Sequence, residues 1–154
     1  MNDQFFSAQV VVLRKSKVLL VRHGKNAAHL TGVLGLPGGR TKNNESEKKG
    51  AIREVFEETG LALKENDLHE FPNNTYSAYI KRKKGPSGVF TMKVFMSAKF
   101  LGVLKKSDET EPVWIKLSDL DDYNLLPNVE KAINSANNYY KGIQKELKVK
   151  PDLA

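Results

Sequence analysis

The segment from Gly38 to Gly60, GGRTKNNESEKKGAIREVFEETG, constrains the fold of this chain more than any other stretch. Its apolar residues recur at helical spacing and predict a helix over Glu47–Thr59. Asn44 or Ser46 precedes this helix as the N-cap. Gly60 ends it, since glycine readily adopts the left-handed conformation of a C-terminal cap. The segment therefore predicts a polar loop that leads into one capped helix.

Three glutamates share one side of this helix, Glu54, Glu57 and Glu58, and they repel one another. Each like-charge pair at i,i+3 or i,i+4 costs about 0.2–0.5 kcal/mol, and the carbonyls exposed at a helix C-terminus disfavour further negative charge. The last turn contains no lysine or arginine that would offset the repulsion. A solvated acidic face normally mixes both signs, whereas hard oxygen ligands converging on a divalent cation turn repulsion into affinity. We therefore interpret the glutamates as a site for Mg²⁺ or Mn²⁺.

The opposite side of the helix is predicted to face the core, and its residues are Ile52, Val55, Phe56 and Thr59. Gly50 lies in the middle of the acidic side. Its missing side chain gives clearance either to a bound ion or substrate, or to a loop that packs on the helix. The sequence leaves both explanations open.

The rest of the chain predicts a sheet and a second helix. Alternating or β-branched patterns predict strands at residues 9–13 and 17–21, from Tyr76 onward, and at residues 89–101 and 114–117. Residues 24–39 contain the glycine and proline residues typical of a loop. Helical spacing of apolar residues after Pro127, as far as Ile143, predicts a closing amphipathic helix. Because strands and helices do not strictly alternate, we expect an α+β or mixed α/β sandwich.

Length and composition favour one domain over residues 1–154, with a core over about 7–143 and a polar tail over 145–154. No apolar run approaches the roughly 18 residues of a membrane span, and the N-terminus lacks the pattern of a signal peptide. The absence of cysteine fits the reducing cytoplasm, where we expect the protein. The net charge of +7 favours polyanionic partners. Nucleic acid is not expected among them, because the charge is scattered and no aromatic RNA-binding motif is present.

The segment also fits a longer pattern with nine specified positions: Gly39, Glu45, Arg53-Glu54-Val55, Glu57-Glu58 and Gly60-Leu61. In these residues the chain resembles the Nudix hydrolase family, whose complete Nudix box runs here from Gly39 to Leu61. So many positions at fixed spacing make the match specific. Residues 35–39 resemble the family's lead-in to the box, and residues 114–120 resemble its last core strand and exit. The resemblance covers most of the chain, about Ser7 to Ile143.

The resemblance implies a fold of the α/β class, a Nudix-type α/β/α sandwich with a mixed central sheet. It also implies an enzyme that hydrolyses a nucleoside diphosphate linked to another group, with Mg²⁺ as the cofactor and Mn²⁺ as a substitute. The metal ligands that it implies are Glu54, Glu57 and Glu58, together with the backbone carbonyl of Gly39 or Gly38.

Two further residues of the box have an orienting role in the resemblance. Arg53 and Glu45 match the salt bridge that orients the loop and the metal-binding glutamates in this family. Gly60 has a structural role at the end of the helix. We therefore count Arg53 with the catalytic residues, and Glu45, Gly38 and Gly60 with the orienting ones.

The base that deprotonates the attacking water is left open. In this family it is either a glutamate of the box, here Glu54 or Glu57, or a glutamate of a distant loop. In the loop before Trp114 we expect Glu111 to be the base or an added metal ligand, with Glu109 as the second choice. An ordinary acidic surface loop is the competing explanation.

Three other features have both a functional and an ordinary explanation. His23 follows a strand and either contacts a phosphate or base, or is an exposed histidine. The basic residues 81–84 (Lys-Arg-Lys-Lys) either grip phosphates or form a solvated hairpin tip. Tyr79 either corresponds to a tyrosine of the dinucleoside polyphosphate hydrolases or is an ordinary strand residue.

The sequence says least about the substrate. Small size and a single domain favour a MutT-like enzyme that acts on a (d)NTP or a modified nucleotide. A dinucleoside polyphosphate or ADP-ribose-type hydrolase is the alternative within the family. A non-catalytic nucleotide-sensing module is the alternative of another class, and a homodimer is left open.

Overall fold

The structure is a computed structural model that describes the backbone of residues 4–149 and the side chains of residues 4–146. Within this range the strands and α-helices are β1 (Gln4–Arg14), β2 (Lys17–His23), β3 (Leu34–Gly35), β4 (Gly38–Gly39), α1 (Glu47–Thr59), β5 (Thr75–Ile80), β6 (Gly88–Ser97), β7 (Thr110–Lys116) and α2 (Val129–Val149). Two short 3₁₀ turns cover Glu65–Asp67 and Leu117–Asp122. No helix in this part of the chain combines the length and apolar character needed to cross a membrane.

The sheet is mixed and is built around β1. Its strands follow the order β3-β2-β1-β6-β5, with β4 paired to β1 and β7 paired to β2. The β1–β6 pair is parallel, whereas the other strand pairs are antiparallel. The mixed sheet between helices confirms the predicted α/β fold.

Strand β1 separates two hydrophobic cores, because successive side chains of a strand point to opposite faces. Val10 and Val12 pack in the core that contains Ala51 and Val55 of α1. Val11 and Leu13 pack in the core on the other face, which contains Ala132, Ile133 and Ala136 of α2. Burial on both faces explains why the middle of this strand is a continuous aliphatic run.

Helix α1 has the predicted bounds and caps. Ser46 is the N-cap, since its hydroxyl accepts a hydrogen bond from the Lys49 amide, so Asn44 is not. Gly60 has φ +82° and its amide donates to the carbonyl of Phe56. The prediction that Phe56 faces the core is wrong, because its side chain is 57% exposed.

The buried line of α1 explains the position of Phe56. It runs through Ala51, Val55 and Thr59, each four residues from the next. At 3.6 residues per turn, Phe56 is rotated about 100° from Val55, whereas Glu58 is rotated only about 60° to the other side. The helix therefore turns Phe56 towards solvent and brings Glu58 close to the sheet.

Several predicted boundaries differ from the structure. Residues 24–39 contain the two short strands β3 and β4, which are stabilised by pairing with distant strands and have no sequence signature of their own. Strand β6 ends at Ser97, and β7 begins at Thr110. Helix α2 continues to Val149, past the start of the predicted polar tail at Lys145, through residues that include good helix formers. Residues 150–154 of that tail lie outside the described part.

Gly60 and Gly142 offer a matched test of the α1 C-cap. Gly60→Ala should lower the free energy of unfolding by about 1–2 kcal/mol or more, because the left-handed conformation is strained for alanine and its Cβ would lie 2.6 Å from the Val103 carbonyl oxygen. Gly142→Ala should raise it by about 0.5–1 kcal/mol, since no heavy atom lies within 4 Å of that Cβ. Urea denaturation measures both, and an unchanged Gly60→Ala midpoint would contradict the assigned cap.

Candidate active site

The last turn of α1 faces strand β4, and Glu58 makes the closest polar contact between them. Its Oε1 accepts a hydrogen bond of 2.8 Å from the amide of Gly38. Burial raises the pKa of the Glu58 carboxyl to about 8, an effect that the Gly38 hydrogen bond opposes and the negative charge of Glu54 reinforces. Glu58 is therefore a partly buried carboxyl group whose surroundings disfavour its charged form.

Gly38 and Gly39 provide the space that brings these groups together. Gly38 has φ +144°, and a Cβ there would lie 2.3 Å from the carbonyl oxygen of Ala8. A Cβ on Gly39 would lie 2.8 Å from Cδ and 2.9 Å from Oε2 of Glu54. Strand β4 can therefore be close to β1 and to the α1 carboxyls only because both residues lack a side chain.

Arg53 lies at the centre of the ionic contacts around α1. Its Nε and Nη2 donate to the two oxygens of Glu45 at 2.9 and 3.1 Å, a bidentate geometry. Its Nη1 donates to Glu54 at 3.0 Å and to Glu57 at 3.2 Å, and Nη2 also donates to the carbonyl of Arg40 at 3.1 Å. One guanidinium thus connects the polar loop to two glutamates of the helix, as the box resemblance implies.

Glu45 fixes the loop from the other end of this salt bridge. It also accepts a hydrogen bond of 2.8 Å from the Lys42 amide. The hydrogen bonds from Arg53, followed by that of Lys42, lower the pKa of Glu45 to about 2. The loop packs directly on Gly50, where a Cβ would lie 2.6 Å from Thr41 Cγ2 and 2.9 Å from Glu45 Oε1. Of the two explanations for Gly50, the geometry matches the packed loop.

The residues on this side of α1 fit a divalent cation in part. Glu54 and Glu58 offer hard oxygen donors beside the β4 backbone. Glu57 is 52% exposed and its carboxylate pairs with Arg53. Within the range whose side chains are described, no three acidic or histidine side chains converge as a metal-binding group. The donor chemistry of Glu54 and Glu58 fits the ion, whereas the Glu57 carboxylate accepts hydrogen bonds from Arg53.

A cavity of about 210 Å³ opens beside Glu58 and strand β4. Its wall also contains Phe5 and Phe90, cross-strand partners in the parallel β1–β6 pair, whose rings stack with centroids 4.7 Å apart. The guanidinium of Arg40 lies 4.9 Å from the centre of the Phe5 ring, and that of Arg82 lies 5.4 Å from the centre of the Phe90 ring. The cavity therefore combines carboxyls, aromatic rings and cations in one wall.

The sequence did not reveal Phe5, Arg40, His29 or Phe90 as parts of this cavity, and it singled out Arg82 only as one of the basic residues 81–84. They come from β1, three separate loops and β6. Their only sequence signal is that each is an aromatic or basic residue, a type that can contact a nucleobase or a phosphate. Without the strand register, that signal does not distinguish them from other aromatic and basic residues.

The two loop glutamates lie in different surroundings. Glu109 lines the cavity with Glu58, and its charge is one of the causes that raise the pKa of Glu58. Glu111 belongs to β7, where its side chain faces Arg22 of the paired strand at 3.6 Å and is more than half exposed. Glu109 is therefore the one of these two that accompanies the α1 carboxyls.

His23 and Tyr79 have contrasting environments. His23 lines the cavity, but its ring Nδ1 lies 3.0 Å from the Val33 carbonyl oxygen and burial lowers its pKa. It is buried, contrary to the ordinary explanation of an exposed histidine. Tyr79 is 66% exposed on β5.

The basic hairpin of residues 81–84 is not a fully solvated tip, because Lys83 is hydrogen-bonded within the protein and Arg82 lines the cavity. The Lys83 ammonium donates to the carbonyls of Gly24 and Lys25, each at 3.1 Å, and to the hydroxyl of Thr31 at 2.5 Å. Its backbone amide also donates to the carbonyl of Ala28. Lys83 therefore anchors the 24–31 loop, which carries His29 into the cavity wall.

Comparison with known proteins identifies the family. A model of the NUDIX domain matches residues 4–136. The chain is 28% identical over 119 residues to an ADP-ribose pyrophosphatase of Methanocaldococcus jannaschii, covering 77% of this chain and 62% of that protein. It is 26% identical over 121 residues to an oxidized purine nucleoside triphosphate hydrolase of Mus musculus, covering 77% of this chain and 70% of that protein. The MutT protein from Methanosarcina mazei Go1 has the same fold, with a TM-score of 0.72 at 22% identity over 91% of this chain and 97% of that one.

This chain therefore belongs to the Nudix family, since the family model covers most of its length. The match confirms the resemblance found from the box. It also confirms the expectation that the chain is an enzyme of the class that acts on phosphoric anhydride bonds. The chain spans less than two thirds of the archaeal relative's length.

Replacing Lys83 tests whether it anchors the loop. Lys83→Met removes the three ammonium contacts and keeps an unbranched side chain of similar length. Hydrogen bonds to charged groups contribute about 1.5–3 kcal/mol each, so amide hydrogen exchange at Ala27 and Lys84 should accelerate about tenfold or more. Lys81→Met, which removes a charge from an exposed site in the same hairpin, should leave both rates unchanged. Equal exchange in the two variants would contradict the anchoring role.

Proposed function

We propose that this protein is a metal-dependent pyrophosphohydrolase that cleaves a nucleoside diphosphate linked to another group, with a (d)NTP or modified nucleotide as the first candidate substrate. The observation that carries the proposal is a cavity whose wall brings Glu58 of α1 and Glu109 together with two stacked aromatic rings and two guanidinium groups. Phosphate groups suit the carboxylates once a divalent cation is bound. A nucleobase suits the aromatic rings.

The proposed reaction is attack of water on a phosphorus atom of the anhydride. A new P–O bond forms as the bridging P–O bond breaks, the leaving phosphate takes the electron pair, and a carboxylate takes the proton of the water. Glu54 and Glu58, joined by Glu57, would hold Mg²⁺ or Mn²⁺, with a carbonyl of Gly38 or Gly39 as a further ligand. The ion supplies polarisation of the phosphoryl oxygens and a lower pKa of the bound water.

The chain's own residues orient these groups. The Gly38 amide keeps Glu58 directed towards β4. Arg53 keeps Glu54 and Glu57 beside the loop while Glu45 satisfies its remaining donors. These contacts limit the rearrangement that ion binding requires, which is the basis of preorganisation. We propose an orienting role for Arg53 and Glu45, and an added role as the base for Glu109 in place of Glu111.

A second candidate substrate is an ADP-ribose-type molecule. The relative of 28% identity bears the name of an ADP-ribose pyrophosphatase, and its substrate shares the diphosphate linkage. The exposure of Tyr79 gives no support to a dinucleoside polyphosphate. The cysteine-free sequence supports action in the cytoplasm.

The primary experiment is hydrolysis of a nucleotide panel with and without Mg²⁺. The panel contains (d)NTPs, oxidised purine nucleotides, ADP-ribose and dinucleoside polyphosphates, and product analysis identifies the bond that is cut. Magnesium-dependent turnover of at least one class is expected. Binding without turnover would favour the nucleotide-sensing alternative and overturn the enzymatic proposal.

Glu58→Gln tests the proposed metal ligand. Turnover should fall about 10²-fold or more, while the fold is retained, because glutamine still offers an oxygen to the Gly38 amide and is neutral at a position where burial already disfavours a charge. Millimolar Mg²⁺ should raise the melting temperature of the wild type by mass action, EDTA should reverse this rise, and Glu58→Gln should show little of it.

Glu47→Gln is the control for the same helix. Glu47 is exposed in the first turn of α1 and pairs with Lys93 at 3.6 Å, away from the β4 contact. This variant should keep both turnover and the Mg²⁺ effect on melting. A folded Glu58→Gln protein with wild-type turnover at saturating Mg²⁺ would refute the assignment.

The two loop glutamates give a second discriminating pair. Glu109→Gln should lower kcat about 10²-fold with a smaller effect on KM, as expected for loss of a general base. Glu111→Gln should change kcat little, since its side chain faces Arg22 at the surface. The reverse order would restore Glu111 as the base. Full activity in both variants would locate the base within the box, at Glu54 or Glu57.

A further inference from the structure

Two buried polar atoms of residues in the wall of the cavity, Nδ1 of His29 and Nε of Arg82, have no hydrogen-bond partner within the described part of the protein. Both side chains pack around Phe90, with the His29 ring centroid 6.1 Å away in edge geometry and the Arg82 guanidinium 5.4 Å from the ring centre. Buried polar atoms are nearly always hydrogen-bonded, and each exception calls for an explanation such as a bound water, ion or ligand. Both exceptions lie against one ring of the cavity wall.

The charges around these atoms restrict what that partner can be. Burial, with repulsion from His23 and Arg82, lowers the pKa of His29 to about 4, so its ring is neutral at pH 7. Arg82 stays cationic, although burial and the charge of Arg40 lower its pKa. A guanidinium has donors only, whereas a neutral imidazole nitrogen can donate. The matching group is therefore an acceptor oxygen, and a cation is excluded.

The local backbone holds Arg82 in position. Its amide donates to the Ser87 hydroxyl at 2.9 Å. Gly85 has φ +75°, and a Cβ there would lie 2.9 Å from Nη2 of Arg82, so the hairpin tip packs closely over the guanidinium. On the opposite side, Lys83 anchors the loop that carries His29. Two segments far apart in sequence are thereby fixed around one small volume.

We propose that Arg82 and His29 form a recognition subsite that binds an acceptor oxygen of the nucleotide outside the bond that is cut, and so determines substrate specificity. The inference rests on the proposed function, because Arg82 and His29 line the cavity in which the nucleotide is proposed to bind. The oxygen belongs either to a keto group of the nucleobase or to a phosphate that is not coordinated at the α1 carboxyls. In both cases the contact affects substrate binding, because the oxygen takes no part in the reaction.

The test compares kcat and KM of the wild type, Arg82→Met and His29→Phe with Mg²⁺ and three nucleotides, GTP, ATP and GDP. His29→Phe keeps the ring packing and removes the nitrogen, and it serves if Arg82→Met fails to fold. Loss of a hydrogen bond to a charged group should raise KM about tenfold or more with kcat little changed. Lys81→Met, which removes the same charge from an exposed neighbour, should leave KM unchanged.

The substrate dependence of the KM change distinguishes the two sources of the oxygen. A loss of preference for GTP over ATP assigns the keto group of the base, and a loss of preference for GTP over GDP assigns the terminal phosphate. An equal rise in KM for all three nucleotides assigns a phosphate that they share, whereas a fall in kcat alone or no change overturns the subsite.

Binding without turnover separates this proposal from the proposed function. The rise in melting temperature with each nucleotide in EDTA measures affinity when the catalytic ion is absent. If the wild type binds nucleotides but cleaves none, the enzymatic proposal fails. The subsite is then tested by whether Arg82→Met and His29→Phe reduce the nucleotide-induced rise in melting temperature. If the wild type neither binds nor cleaves them, both proposals are refuted.

Discussion

The geometry of the site depends on how closely the Gly38–Gly39 backbone approaches both strand β1 and helix α1. Any Cβ on these residues would meet the Ala8 carbonyl oxygen on one side or the Glu54 carboxyl on the other. The approach lets the Gly38 amide reach Glu58. It also removes Glu58 from solvent, which is why one carboxyl of α1 behaves unlike an ordinary surface glutamate.

Two glutamates of the same box show how environment decides the behaviour of one residue type. Glu45 faces the Arg53 guanidinium and has a pKa lowered to about 2. Glu58 is partly buried near other carboxyls and has a pKa raised to about 8. The difference lies in burial, which raises the pKa of Glu58, and in the Arg53 guanidinium, which lowers the pKa of Glu45. Arg53 is thus an internal cation for Glu45, Glu54 and Glu57, and the proposed metal ion would add a cation beside Glu58.

The sequence predicted the parts of the molecule that depend on local spacing. Helix α1, its Gly60 cap and the side that carries Glu54, Glu57 and Glu58 all follow from the periodicity of one segment. Phe56 was misplaced because four apolar positions do not fix the centre of the buried face, which contact with the sheet determines. Glu111 was ranked ahead of Glu109 because the sequence does not reveal the pairing of β7 with β2, in which Glu111 faces Arg22 while Glu109 lines the cavity. The Phe5–Phe90 stack is a product of parallel pairing, for which a single sequence holds no signal.

The parallel pairing of β1 with β6 has a consequence for the order in which the protein is made. During synthesis the complete box emerges from the ribosome with β1 and α1, well before β6. A partial chain can therefore carry every carboxyl of the α1 site while the aromatic wall contributed by Phe90 does not yet exist. Contacts between such distant segments form late, because a long loop must close first. We therefore expect the acidic side of α1 to be complete before β6 pairs with β1 and adds Phe90 to the cavity wall.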